Sequence, residues 1–379
     1  MKNFLLPALL LVGLLTNAAL AQRALAQQKK AGPVAPKVRK GVAKKRRSPE
    51  VDPTAGDNVD GEDLAIRRAA VDALGMQAGS VVVADPHNGR ILTMVNQKLA
   101  FKSGFIPCSV IKLVTALAAL SEHVVTREAS VRLTRYTSLD LTTALAHSNN
   151  PYFATLGERL GFERVIRYAR MLGLGEKAGL EIPGEQPGEI AAEPPRWGGM
   201  GLMTSFGEGF LMTPLELAAL LGTIANGGTL YYLQYPRTPE EIDQFTPKVK
   251  RLLDLAPNGF EDIKVGMRGA VDYGTAKRAN DPEELIWGKT GTCTDFPSGS
   301  HMGWFGSFTA PGDHQLVVVV MLTSPIKSVS GGVASAVAGD FYRNLSAQGY
   351  FQAVAAAKAR QSDLPEILVS TPSVEPHTQ

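Results

Sequence analysis

Apolar and polar positions follow two different spacings along this 379-residue chain. Ser80–Asp85 (SVVVAD) and Arg90–Val95 (RILTMV) are short runs rich in β-branched residues, and His87-Asn88-Gly89 between them supplies a hairpin turn. The spacing then becomes helical. Ser109–Ser121 is apolar and rich in Leu and Ala, Leu139–His147 is a short helical stretch, Pro151–Leu160 starts with proline at an early helical position, and Glu163–Leu172 follows. Thr213 is placed to N-cap Pro214–Ala225, which Gly227-Gly228 closes. Strand patterns return at Leu285–Thr292, His301–Thr309 and Gln315–Thr323, and Gly331–Leu345 ends the series as a helix. Strands at both ends with helices between them predict one mixed α+β domain over 64–350, not two consecutive domains. The chain shows no internal repeat.

The two ends fall outside this pattern. Lys2, the apolar run Phe4–Leu15 and Ala19-Leu20-Ala21 have the layout of an export leader over 1–21, cleaved after Ala21 or, at Ala24-Leu25-Ala26, after Ala26. Thr16 and Asn17 interrupt the run short of the ~20 residues that span a bilayer. Export directs the chain to the periplasm or cell envelope. Residues 22–63 read as a disordered charged linker: basic residues between Lys29 and Arg47 precede Glu50, Asp52, Asp57, Asp60, Glu62 and Asp63, with almost no large apolar side chain to bury. Such a segment is a solvated tether whose basic block also suits anionic envelope polymers. Residues 351–379 read as a C-terminal helix and tail.

Composition adds little except at one point. Hydrophobic residues make up 44% and charged residues 20%, as in ordinary globular proteins. Of 39 basic and 36 acidic residues, 11 and 6 fall within 1–63, leaving 28 and 30 for the body. A nearly neutral body argues against a nucleic-acid partner. The six histidines lack metal-ligand spacing, and no motif calls for a cofactor.

Three short motifs carry the candidate chemistry: Ser109-Val110-Ile111-Lys112, Ser148-Asn149-Asn150 and Lys289-Thr290-Gly291-Thr292. An S-x-x-K occurs by chance about once in a chain of this length, and Ser324-Pro325-Ile326-Lys327 is such an occurrence, with proline after a strand and no amphipathic helix beyond. Ser109 differs because it opens a helix, with Lys112 one turn on and on the same face. Serine needs a base within hydrogen-bond reach. Lysine serves only if its pKa is lowered, which burial and a second cation, Lys289, both promote. Ser148 can relay a proton and Asn150 can bind a substrate amide, although Ser-Asn-Asn alone reads first as a helix stop followed by a helix cap. Gly288-Lys289-Thr290 is not a phosphate loop, because position 283 is Glu and a strand pattern follows. On a strand, Lys289 and Gly291 share the face toward the nucleophile helix, while Thr290 and Thr292 face a groove and can hold a substrate carboxylate. The amides of Ser109 and Thr292 are candidates for an oxyanion hole.

This motif set resembles that of penicillin-binding proteins and class A β-lactamases, and from about Gly79 to Leu345 the chain is similar to penicillin-binding transpeptidase domains. Ser148–Gly188, Ser205–Leu230 and Gly303-Trp304-Phe305 extend the similarity beyond the motifs. The resemblance implies an αβα sandwich around an antiparallel sheet. It also implies Ser109 as nucleophile, Lys112 as base, and Ser148, Asn150 and Lys289 completing the site. The expected partners are peptidoglycan stem peptides and β-lactam antibiotics. Departures are visible. The interval from Lys112 to Ser148 is short for the family, residues 22–63 leave no room for a pedestal domain, and no glycosyltransferase domain precedes the catalytic unit. Asn149 stands where class A β-lactamases carry aspartate, and no E-x-x-L-N deacylation motif is found. These departures favour a D,D-transpeptidase or D,D-carboxypeptidase over a β-lactamase on the same scaffold; a β-lactam-sensing or binding protein is the further alternative, against which stand the intact motif residues and the lack of a spanning pattern after residue 21.

Cys108 precedes the nucleophile and Cys293 follows the third motif. This placement resembles the disulfide of class A carbapenemases. With helix and strand as neighbours, their Cα atoms are expected within the ~4.4–6.8 Å a bridge requires, and an exported chain meets an oxidising compartment.

Overall fold

The computed structural model describes residues 52–352 except 257, 297, 313, 327 and 328. The leader, the basic part of the linker and the tail from 353 lie outside the described residues. Five strands form the main sheet: β1 (Gly79–Ala84), β2 (Ile91–Val95), β3 (Ile286–Asp295), β4 (Ser300–Thr309) and β5 (Val317–Ser324). The order is β2-β1-β5-β4-β3, and every neighbouring pair is antiparallel. The main helices are α1 (Leu64–Leu74), α2 (Lys112–Ser121), α3 (Leu141–Ala146), α4 (Asn150–Leu160), α5 (Phe162–Met171), α6 (Gly199–Phe206), α7 (Pro214–Ala225), α8 (Gly259–Asp272) and α9 (Gly331–Ala347).

Strand β5 shows why the sheet is central. Its unbroken apolar run is buried on both faces, which an alternating strand is not. Val317, Val319 and Met321 join one core with residues of α2, α4 and α7 such as Val114, Phe153 and Leu217. Val318, Val320 and Leu322 join a second core with Ile66 and Leu74 of α1 and Val337 and Phe341 of α9. Helix, sheet and helix therefore form three layers, the αβα sandwich expected. Helix α7 starts as its sequence predicts: Thr213 Oγ1 accepts from the Glu216 amide at 3.0 Å, and the Glu216 carboxylate accepts from the Thr213 amide at 2.7 Å.

The boundary at 64 needs correction. Residues 57–63 are a strap packed along β2, not part of a disordered linker. Asp57 accepts from Arg67 at 2.7 Å and from the amides of Asn96 and Gln97 at 2.9 and 2.8 Å. Glu62 accepts from Thr93 Oγ1 at 2.6 Å, from the Met94 amide at 3.0 Å and from Arg67 at 3.2 Å. The Asp63 amide donates to Leu92 O at 2.9 Å, and its carboxylate caps α1. These acids look like a solvated run in the sequence. They are held instead by a buried arginine and by the outward backbone groups of a sheet edge, partners that no local pattern reveals.

Candidate active site

The chain enters the site through Pro107-Cys108 and forms a single 3-10 turn, Cys108–Ile111, before α2 begins at Lys112. The helix expected from Ser109 thus starts with a tighter turn. In a 3-10 turn, side chains three residues apart eclipse one another. The Lys112 amide donates to the Ser109 carbonyl, closing that turn, and Lys112 Nζ lies 2.8 Å from Ser109 Oγ. Ser205 O of α6 is 3.4 Å from the same hydroxyl, a contact the sequence did not point to.

The second motif meets the same amine. Lys112 Nζ is 2.8 Å from Ser148 O, 3.0 Å from Ser148 Oγ and 2.5 Å from Asn150 Oδ1. Ser148 O and Asn150 Oδ1 only accept, so they take the two hydrogens of a neutral amine. Its lone pair then remains for the Ser109 hydroxyl. Asn149 caps α4 by accepting from the Tyr152 amide at 2.9 Å. The Ser-Asn-Asn segment is therefore a helix cap and a wall of the site at once. Ser148 has a left-handed φ of 54°, as does Cys108 at 53°. Such conformations are costly for residues other than glycine and persist only where the surroundings impose them.

The third motif lies on β3, the edge strand opposite β2. Lys289 Nζ donates to Ser148 Oγ at 2.8 Å and to Thr290 O at 2.9 Å, so the Ser148 hydroxyl sits between two amines. Both lysines are 0% exposed. Among the described residues no carboxylate pairs with either. Desolvation, with the charge of Lys289 added, pushes the Lys112 amine down to about 6. Desolvation alone pushes Lys289 to about 7.

Gly291 lets strand and turn touch. A Cβ there would stand 3.0 Å from Pro107 O and 3.3 Å from Cys108 Cβ. Cys108 and Cys293 are bridged, with Cα atoms 5.5 Å apart and a sequence separation of 185. Thr290 is 5% exposed, more enclosed than a groove-facing side chain, and its hydroxyl lies 2.7 Å from Thr275 Oγ1. Thr292 is exposed, and its Oγ1 accepts from the Gly331 amide at 2.7 Å. Thr275 and Gly331 carry no motif that sequence reasoning can recognise. Altogether the fold gathers buried Ser109, Lys112 and Lys289 and half-buried Ser148 and Asn150 into one cluster beside the third-motif strand.

Comparison with known proteins gives consistent matches. The family model for the penicillin binding protein transpeptidase domain matches residues 79–343. Stage V sporulation protein D of Bacillus subtilis is 29% identical over 316 residues, covering 70% of this chain and 49% of that protein. Peptidoglycan D,D-transpeptidase MrdA of Acinetobacter baumannii is 23% identical over 302 residues, covering 64% and 45%. The chain spans about half the length, or less, of these curated relatives. Among solved structures, the transpeptidase domain of Burkholderia pseudomallei penicillin-binding protein 3 superposes with a TM-score of 0.63 at 20% identity, covering 82% of this chain and 98% of that one. Penicillin-binding protein 2 of Pseudomonas aeruginosa gives 0.62 at 24% identity, covering 74% and 76%. Both likenesses concern the fold.

Proposed function

The chain belongs to the penicillin-binding protein transpeptidase domain family, and on that basis we propose that it is a serine acyltransferase, with Ser109 as nucleophile and D-Ala-D-Ala stem peptides of peptidoglycan as acyl donors. The observation that carries this reading is the Ser148 hydroxyl, held 3.0 Å from Lys112 Nζ and 2.8 Å from Lys289 Nζ, with Ser109 Oγ 2.8 Å from the first amine. Neutral Lys112 accepts the Ser109 proton as Oγ attacks the penultimate D-alanine carbonyl. The amides of Ser109 and Thr292 receive the developing oxyanion. Support for them is that first-turn amides lack intrahelical partners and that β3 is a sheet edge. The tetrahedral carbon then expels the terminal D-alanine. Its C–N bond breaks, and the proton passes from Lys112 through Ser148 to the departing amine. Asn150 orients the donor's amide, and the β3 strand at Thr290, Gly291 and Thr292 binds its end. A second stem-peptide amine or water next attacks the Ser109 ester, giving D,D-transpeptidase or D,D-carboxypeptidase activity.

A β-lactam acylates the same serine by ring opening, with no fragment leaving. The Cys108–Cys293 bridge, shared in placement with class A carbapenemases, keeps a β-lactamase as the second reading. Intact mass after benzylpenicillin is expected to show one adduct on the native chain and none on Ser109→Ala. No adduct on the native chain would sink the reading. An adduct lasting minutes favours the transpeptidase, whereas turnover of many per second favours the β-lactamase. We further place the chain in the periplasm or cell envelope, delivered by the leader over 1–21, with the basic residues of the linker against anionic envelope polymers. Among the described residues no helix is long and apolar enough to cross a membrane.

A further inference from the structure

Outside the serine site, α8, the start of β3 and the end of β4 border a cavity of about 450 Å³, within the range of small-molecule pockets. One wall is Trp287, half-buried and stacked on the buried Phe308 with ring centres 5.9 Å apart and planes 8° apart. Another is Tyr273, 47% exposed, which lies back along α8: a Cβ at Gly269 would stand 2.5 Å from its hydroxyl. Among the described residues, neither the Trp287 indole N–H nor the Tyr273 hydroxyl has a hydrogen-bond partner. Gln315 also borders the cavity. It is 3% exposed, and its Nε2 donates to Thr309 O at 2.9 Å, which leaves Oε1 as an acceptor without a partner among the described residues. Apolar ring faces thus meet donors and acceptors that the fold leaves open.

The charged rim is balanced. Glu261 and Lys264 pair at 2.6 Å. Arg268 pairs with Asp272, Nε to Oδ2 at 3.0 Å, and its Cζ lies 6.0 Å from the Trp287 ring centre. Two cations and two anions carry no net charge, so an ion of either sign meets a repelling group for each attracting one. A neutral polyol meets none, because its hydroxyls donate to the carboxylates and accept from the guanidinium and ammonium. A pyranose ring also has an apolar C–H face, which packs on an aromatic ring. The complement of this cavity is therefore an uncharged sugar.

The cavity adjoins the catalytic wall. Trp287 and Lys289 share one face of β3, about 7 Å apart along the strand. The Tyr273 ring is centred 5.7 Å from that of His147, the residue before Ser148. In peptidoglycan each stem peptide is joined covalently to a sugar of the glycan strand, and an extended stem of five residues spans at most about 18 Å. We propose that this cavity binds an uncharged sugar of that strand, with Trp287 and Tyr273 as its aromatic contacts. The identity of the strand rests on the acyl-transfer reading; the sugar contact lies outside the three motifs.

The test uses chitotetraose, the uncharged β-1,4 tetramer of N-acetylglucosamine, titrated against the full chain and followed by saturation-transfer NMR. Native protein is expected to bind it, and Trp287→Ala and Tyr273→Ala to raise Kd about tenfold or more. Acylation by benzylpenicillin within about threefold of native shows that each variant keeps its fold and its serine. Should Trp287→Ala fail that check, Tyr273→Ala, at an exposed position, decides the matter. In a second arm, a stem pentapeptide joined to its disaccharide should acylate native protein with kcat/KM about tenfold above the free pentapeptide, and Tyr273→Ala should bring the ratio close to one. No saturation transfer from native protein at millimolar sugar overturns the proposal. Undiminished binding by the variants does so too, as do equal native rates with the two donors. If benzylpenicillin leaves no adduct on native protein, it is the acyl-transfer reading that falls, and chitotetraose still reports separately on the cavity.

Discussion

Ser109 and Lys112 eclipse one another across a single 3-10 turn, and Lys112 Nζ lies 2.8 Å from Ser109 Oγ. The tertiary contacts then decide the amine's charge. Burial and Lys289 hold Lys112 down to about 6, so at neutral pH its lone pair is largely available. Because the neutral form accepts the proton, acylation is expected to rise through about pH 6, falling close to tenfold per pH unit below it. A profile of kcat/KM with a penicillin checks this. Lys112→Arg stays protonated at every accessible pH and should lose about two to four orders of magnitude.

Lys289 sets function against stability. Its folded pKa of about 7 lies below the ordinary 10.5, so between those values the unfolded chain binds more protons than the folded one. Stability attributable to this group therefore increases as pH rises from about 7 toward 10.5. Lys289→Met removes that dependence and is expected to be more stable by a few kcal/mol at pH 7, with the advantage shrinking toward pH 10. The same variant should acylate poorly, and the acid limb of what remains should move to higher pH, since Lys112 loses its cationic neighbour. Urea unfolding at pH 7 and 9.5 checks the first claim; a loss of stability at pH 7 would contradict it.

The Cys108–Cys293 bridge closes a loop of 185 residues. Replacing both cysteines with alanine is expected to cost about 2–4 kcal/mol, read as a lower urea midpoint. Acylation should slow as well, because Cys108 holds a left-handed φ of 53° directly before the nucleophile. Native protein after reduction should show the same two changes.

Gly331 is pressed against the third motif. A Cβ there would stand 2.7 Å from Thr290 Cβ and 2.8 Å from Gly291 O, so the start of α9 must move. Gly331→Ala is expected to cost about 1–3 kcal/mol and to weaken the bond from its amide to Thr292. Thermal unfolding and acylation rate should fall together, whereas Gly332→Ala, whose Cβ would come no closer than 3.7 Å to Ser330 Oγ, should change neither.

Strands β1 to β5, helices α2 to α5, α7 and α9 and the members of the site are legible in the sequence because each rests on local spacing or on a short motif. The β5 run, the Thr213–Glu216 cap and the S-x-x-K turn are of this kind. Two groups of residues are not legible. Asp57 and Glu62 look solvated until Arg67 and the backbone at and just beyond β2 are brought to them. Thr275 is one threonine among many until folding sets its hydroxyl over Thr290. In both cases the information lies in a pairing between distant residues, which periodicity does not encode.

The strap has a consequence for association. An antiparallel sheet ends in two rows of unsatisfied backbone groups, and each can recruit a strand from another chain. Here Leu92 O, both backbone groups of Met94 and the Asn96 amide are taken by residues 57–67, so the β2 border is sealed from within. The opposite border is β3, flanking the serine. Among the described residues the five-stranded sheet thus has one border closed by this strap, and an extended guest that adds at the other is led to the catalytic side.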